Sequence, residues 1–168
     1  MILAPIYQAI YDRMKADTGT GGLYNGGAWN LITGGAYTVF ASPSAITGPY
    51  LVFGVSMERN NESTTGDEFL CTATFNLYDR LNESASDAYI GTSLLPALDR
   101  LHGNAVLQSG RVPTYGFNRH RLVLPTNTYS AQASTCMVDK NDATIVSENV
   151  VMATMQMTFR VFALAANP

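Results

Sequence analysis

Apolar residues recur four apart near the start of the chain, at Ile6, Ile10 and Met14, with Tyr7 and Tyr11 beside them. That period lays them along one stripe of a helix, predicted over residues 5–16; Pro5 suits its first turn, where the amide it lacks would be unpaired. The pattern then breaks. Residues 17–49 contain Gly-Gly pairs at 21/22, 26/27 and 34/35, whose backbone freedom opposes regular structure, so a long loop without regular elements is predicted. Tyr24, Trp29, Leu31, Ile32, Tyr37, Val39 and Phe40 nevertheless fall inside it. A strand of β-branched and aromatic residues follows at 50–57. Strict alternation then sets Phe69, Cys71, Ala73, Phe75 and Leu77 on one side of a second strand, making an antiparallel hairpin with the first. Ile90, Leu94, Leu98 and Leu101 return to helical spacing, with Ser84 or Ser86 as N-cap, Pro96 inside and Gly103 as the stop. Strands are predicted at 105–108 and 115–124, and a short hairpin pairs 135–138 with 144–146 around Asn141-Asp142. The clearest strand closes the chain, where Val151, Ala153, Met155, Met157, Phe159 and Val161 alternate with polar neighbours.

Helix, two strands, helix and further strands, without strand-helix-strand repetition, define an α+β domain. The predicted architecture is an antiparallel β-sheet with two α-helices packed on one face, plus long loops and the hairpin arm. One domain spans 1–168, with loop insertions at about 18–48 and 110–149. Leu, Ile, Val and Phe fill 40 of the 168 positions, enough for a sizeable core. Charged residues make up only 14% and the net charge is −3. This argues against a protein that binds nucleic acid by neutralising phosphates, and no sequence-specific nucleic-acid partner is expected. The apolar start is interrupted by Gln8, Asp12 and Arg13 before a membrane span or signal segment would be complete, so the expectation is a cytoplasmic start and no membrane partner. Cys71 and Cys136, in no CxxC spacing, are expected to be buried thiols.

Motifs for catalysis fail one by one. Residues 19–24 break the dinucleotide fingerprint at Tyr24, and 22–27 lead into Ala28 where a phosphate loop needs Lys. Ser56 and Ser93 lack the second glycine of a nucleophile elbow. Residues 139–142 begin like a calcium loop but miss its third ligand, its glycine and its closing Glu. His102 and His120 are too far apart in sequence, and outside any zinc motif, to suggest a metal site; the flanking Arg119 and Arg121 are expected to disfavour protonation of His120. No enzyme activity, metal or cofactor is therefore expected. What remains suits assembly. Eight of the ten basic residues are Arg, the cation favoured at protein interfaces. Tyr24, Trp29 and Tyr37 in the first loop are candidate apolar anchors, in segments expected to find cover on other polypeptides. Arg119 and Arg121, alternate residues of one predicted strand and so on one face, are candidate polar contacts.

Several segments together resemble the tail-terminator, or tail-completion, proteins of long-tailed bacteriophages: the opening helix at 6–14, the strand entry Gly48-Pro49-Tyr50-Leu51-Val52-Phe53-Gly54, the alternating strand at 72–78, the helix end at 98–103 and the closing strand at 155–161. The likeness covers about 1–17, 48–108 and 150–164, and lies in element order more than in any single motif. It implies a ring, with six copies expected, that caps the head-proximal end of a tail tube in the virion neck. Its partners would be itself, the tail-tube protein and a head-tail connector or stopper, after assembly in the host cytoplasm. A head-tail stopper or connector subunit is the alternative within the same neck. From another class, a small ligand-binding or enzymatic α+β domain would place its pocket between the first loop and the sheet.

Overall fold

The computed structural model describes residues 3–39, 48–63, 66–80, 87–103, 114–125, 131–147 and 150–164. Helix α1 (Leu3–Lys15) buries Ile6, Ala9, Ile10 and Met14, the predicted stripe with Ala9 added. After it come two-residue strands β1 (Tyr24–Asn25) and β2 (Ala28–Trp29), then β3 (Gly35–Thr38), β4 (Tyr50–Ser63), β5 (Gly66–Arg80), α2 (Asp87–His102), β6 (Ala131–Ala133), β7 (Met137–Ser147) and β8 (Val150–Leu164). The main sheet has six strands in the order β3-β4-β5-β8, with β6 and β7 pairing successive stretches of β8. The fold is thus mixed α+β and rich in antiparallel pairs, with strands predominating.

Alternation in the sequence becomes register in the sheet. Phe53 pairs with Phe75 and Phe75 with Met155; Leu51 pairs with Leu77 and Leu77 with Ala153. These inward residues are all fully or almost fully buried and share one cluster with the buried stripe of α1 and with Leu94, Ala97, Leu98 and Leu101 of α2. Covering a Phe or Leu side chain completely contributes about 1.5–3 kcal/mol, so this cluster supplies the principal driving force for the fold. The intervening positions, Val52, Thr72, Thr74, Asn76, Thr154 and Gln156 among them, form the opposite, half-buried face. There Thr154 donates to Asn76 across 3.0 Å and Gln156 to Thr74 across 3.3 Å.

Four expectations need correction. The first loop is not devoid of regular structure, because β3 pairs with β4, and it pairs in parallel, so the sheet is not purely antiparallel. The Gly34-Gly35 pair makes the approach feasible: a Cβ on Gly34 would lie 3.0 Å from both the Gly48 carbonyl oxygen and the Tyr50 Cβ, and Gly35 has a φ of +96°. Residues 115–124 are not a strand. Gly116 and Arg119 both take positive φ, and the amides of Phe117 and Asn118 donate to the last carbonyls of α2, those of Leu101 and His102; the segment closes a helix end in place of extending a sheet. The hairpin around Asn141-Asp142 does not form either. Those residues continue through one strand, β7, opposite Met155 and Thr154, because pairing with β8 outweighs their local turn preference. Finally, the β4–β5 hairpin runs past the predicted end to Ser63 and Gly66, through a register shift between Arg59 and Asn61. The predicted strand at 105–108, the N-cap serines and the side chain of Ile90 lie outside the described residues.

Both cysteines are free and buried. Cys71 pairs with Phe159, and Met137, next to Cys136, pairs with Thr158. The two cysteines thus lie on either side of the Thr158–Phe159 stretch of β8, Cys136 just before β7. Burial pushes them up to about 11 and about 12 respectively, so neither is a reactive thiolate at neutral pH.

Candidate assembly surface

The first loop is secured by a buried ion pair. Asp17, only 4% exposed, accepts from the amide of Leu23 and from Nε of Arg100 at 2.9 and 3.0 Å, and Arg100 reaches its second oxygen as well. The hydrogen bond from Arg100 favours its charged form and raises its pKa. The same guanidinium lies 3.5 Å from the ring centre of Tyr115, so one residue of α2 joins the loop to the 114–125 segment. Leu23 and Ile32 are then fully buried in the common core. The expectation that this loop needs other polypeptides to cover its apolar groups is therefore corrected for Leu23 and Ile32, and in part for Trp29 and Leu31, which pack against the core, while Val39 stays exposed.

What the loop leaves outside is an aromatic rim. Trp29 packs edge-on against Tyr24 at 5.2 Å and Tyr11 at 5.8 Å, and the Lys15 ammonium lies 5.0 Å from the Tyr24 ring and 5.5 Å from that of Tyr11. Tyr24 and Trp29 are thus brought together, half-buried, by the β1–β2 turn and one edge of α1. Tyr37 lies elsewhere: it packs on Tyr50, which stacks on Tyr78 at 5.1 Å. Burial and the neighbouring Tyr78 raise the Tyr50 phenol. As contacts, neither Tyr11 and Lys15, whose four-residue spacing runs beside the buried stripe of α1, nor Tyr50 and Tyr78, which only register brings together, are expected from the sequence.

Between α1 and the β3–β4 edge lies an apolar cleft of about 500 Å³, lined by Leu3, Ala4, Tyr7, Tyr11, Thr38 and Phe53. Tyr7 is held in its lining, with its ring 5.5 Å from Phe53 and its hydroxyl accepting the Val55 amide at 2.9 Å.

Arg119 and Arg121 are exposed, but not as alternate residues of a strand. Arg119 has a φ of +61° and its amide donates to the Cys136 carbonyl, while Arg121 donates through Nε to the Ala133 carbonyl at 2.7 Å. The cause proposed for a weakly basic His120 also changes. Its pKa falls to about 4, first through burial and then through Arg13, not through the flanking arginines. Arg13 is itself lowered by burial and donates to the Gly116 carbonyl. Among the described residues no three His, Cys, Asp or Glu gather as a metal site, and no helix is long and apolar enough to cross a membrane.

No family model matches the chain, and no curated protein matches it. Among solved structures, it is similar to a chain of the virion of a native gene transfer agent particle, with a TM-score of 0.60 and 13% identity over 98% of both chains. At that identity the likeness is one of fold, and it spans α1 through β8.

Proposed function

We propose that this chain is a structural virion protein and acts as a tail terminator, in a ring of six copies that seats on the head-proximal end of a finished tail tube and presents its other side to the head connector. The observation that carries the virion part is the fold shared, end to end, with a virion component. The terminator part rests on the order of elements and the segments at 6–14, 48–54, 72–78, 98–103 and 155–161. The work is attachment without catalysis: the ring occupies the tube end that the next tube subunit would take, and elongation stops. In a closed ring each contact joins two different surfaces of the subunit. Trp29, Tyr24 and Tyr37 offer half-covered aromatic area to a neighbour, tube or connector, and Arg119 and Arg121 lie exposed as polar contacts, the latter already donating to the Ala133 carbonyl.

Adding the purified chain to polymerising tail-tube protein tests this. Capped tubes of limited length, with a ring mass for the added component, are expected; tubes that grow unaffected would remove the terminator role. Capture by a connector but not by tubes would move the protein to another place in the neck. Trp29→Ala should weaken ring association by more than about 1 kcal/mol if Trp29 is an anchor, and a melting curve on the same variant separates that loss from lost packing on Tyr11 and Tyr24.

One observation favours a second reading. The cleft lies between α1 and the β3–β4 edge, not between the first loop and the sheet as that reading expects, but it is within the usual size range of ligand pockets and mostly apolar, with Gln8 and Thr38 in its lining. A ligand-binding domain would remain monomeric with tail tubes present and show saturable uptake of a small apolar compound.

A further inference from the structure

We propose that copies of this chain join through the edges of their sheets, the outer edge of β4 in one copy pairing antiparallel with the outer edge of β7 in the next. This rests on the ring-forming reading above and names the surface that closes the ring.

β3 accompanies β4 only from Tyr50 to Phe53. The Phe53 carbonyl accepts the Val39 amide, and the Tyr7 hydroxyl accepts that of Val55. Both groups point away from β5, so the two-residue period of a strand aims the Met57 amide the same way. Beyond Val55, β4 has no strand partner on that side among the described residues. At the other side of the sheet β7 pairs with β8 alone among the described residues. Its start is covered, since Asn118 accepts the Val138 amide through Oδ1; the stretch from Asp139 onward is not accompanied by a described strand. Among the described residues the sheet thus ends in two edges that no further strand accompanies, and such an edge can accept another strand.

Direction follows from topology. β4, β5, β8 and β7 alternate in direction. When a copy is related to the next by rotation about a ring axis along which its strands run, β4 of the next copy runs opposite to β7, and alternation continues across the junction. Charge supplies the register. Glu58 and Arg59 on one edge and Asp139 and Lys140 on the other are all exposed. Antiparallel strands step in opposite senses, so setting Glu58 against Lys140 also sets Arg59 against Asp139, two acid-base pairs at once. The same register places Met57 against Asn141 and ends the junction where Tyr7 covers Val55 and Asn118 covers Val138. Arg59 already holds Asp67 of its own chain at 2.7 Å and Lys140 lies 3.5 Å from Asp142; both pairs are solvent-exposed, so reorganising them at the junction costs little.

Charge exchange on the whole chain tests the pairing. Glu58→Lys and Lys140→Glu should each weaken subunit association, measured by sedimentation, by about threefold or more. The double variant should return to within about twofold of the original, and melting temperatures should stay unchanged because both side chains lie on the surface. In the original chain the Met57 amide should exchange hydrogen slowly when assembled and fast when dilute. If the assembled chain leaves that amide as labile as in the monomer, or if Lys140→Glu has no effect, another surface closes the ring and the pairing is wrong while the assembly reading stands. A chain that stays monomeric at every concentration and with tail tubes present overturns both.

Discussion

His120 shows how burial outweighs the charges next to it in sequence. Arg119 and Arg121 flank it, but both extend to solvent, where water screens them; the protein interior and Arg13 set its protonation. Its Nδ1 is buried and finds no partner among the described residues. The folded state therefore holds a neutral imidazole with a pKa near 4, against 6.5 for an ordinary histidine. Between these values the unfolded chain binds more protons than the folded one, so this group's contribution to stability is complete above pH 6.5 and is lost as pH falls toward 4. Carboxylates also destabilise the fold in acid, so the informative quantity is a difference. Urea midpoints of His120→Leu should vary less steeply between pH 6.5 and 4 than those of the original chain. Equal slopes would mean that the imidazole is solvated or partnered in solution.

At the scale of elements, two glycines allow α2 to end where it does. A Cβ on Gly103 would lie 2.6 Å from the Tyr115 carbonyl oxygen, one on Gly116 would overlap the backbone of Gly103, and both residues take positive φ. Gly116→Ala combines left-handed strain with overpacking and should cost about 2 kcal/mol or more, read as a lower urea midpoint with the dependence on urea unchanged. A neutral result would show that the two backbones separate easily. The helix stop at Gly103 was legible in the sequence; its mate at Gly116 was not, because the need for that glycine arises only when residues 114–118 fold back onto α2. The same division holds elsewhere. Long amphipathic stretches such as 66–80 and 150–164 announce themselves, since one face of each must be buried over many residues. Short elements such as β3 depend on a neighbour strand, and β7 follows β8 against its own turn signal. Of the candidate contacts, Tyr24 and Trp29 proved adjacent because a four-residue turn joins them, whereas pairing Arg119 with Arg121 on one face relied on a strand that does not form.

For the molecule as a whole, the loop of residues 17–39 decides how much of the structure exists before assembly. Had its apolar groups lacked cover, the lone subunit would carry a floppy segment and a ring would have to order it, at a cost to affinity. The structure places Leu23 and Ile32 in the core and ties the loop to α2 through Asp17 and Arg100. The loop amides of Leu23, Tyr24 and Asn30 also have partners, the Asp17 side chain, the Asp17 carbonyl and the Leu23 carbonyl. Loop and sheet should then unfold together, and the lone subunit should carry its aromatic rim already in place. In dilute solution the amide of Leu23 should exchange hydrogen at close to the rate of global unfolding, as those inside β5 do. Leu23→Ala should lower the stability of the whole domain by about 2–5 kcal/mol, in a single transition. If that amide exchanges orders of magnitude faster than those of β5, and slows only on assembly, the loop folds on its neighbours. Ring formation would then have to offset its ordering entropy, and the rim formed by Tyr24 and Trp29 would be a product of assembly, not a preformed surface.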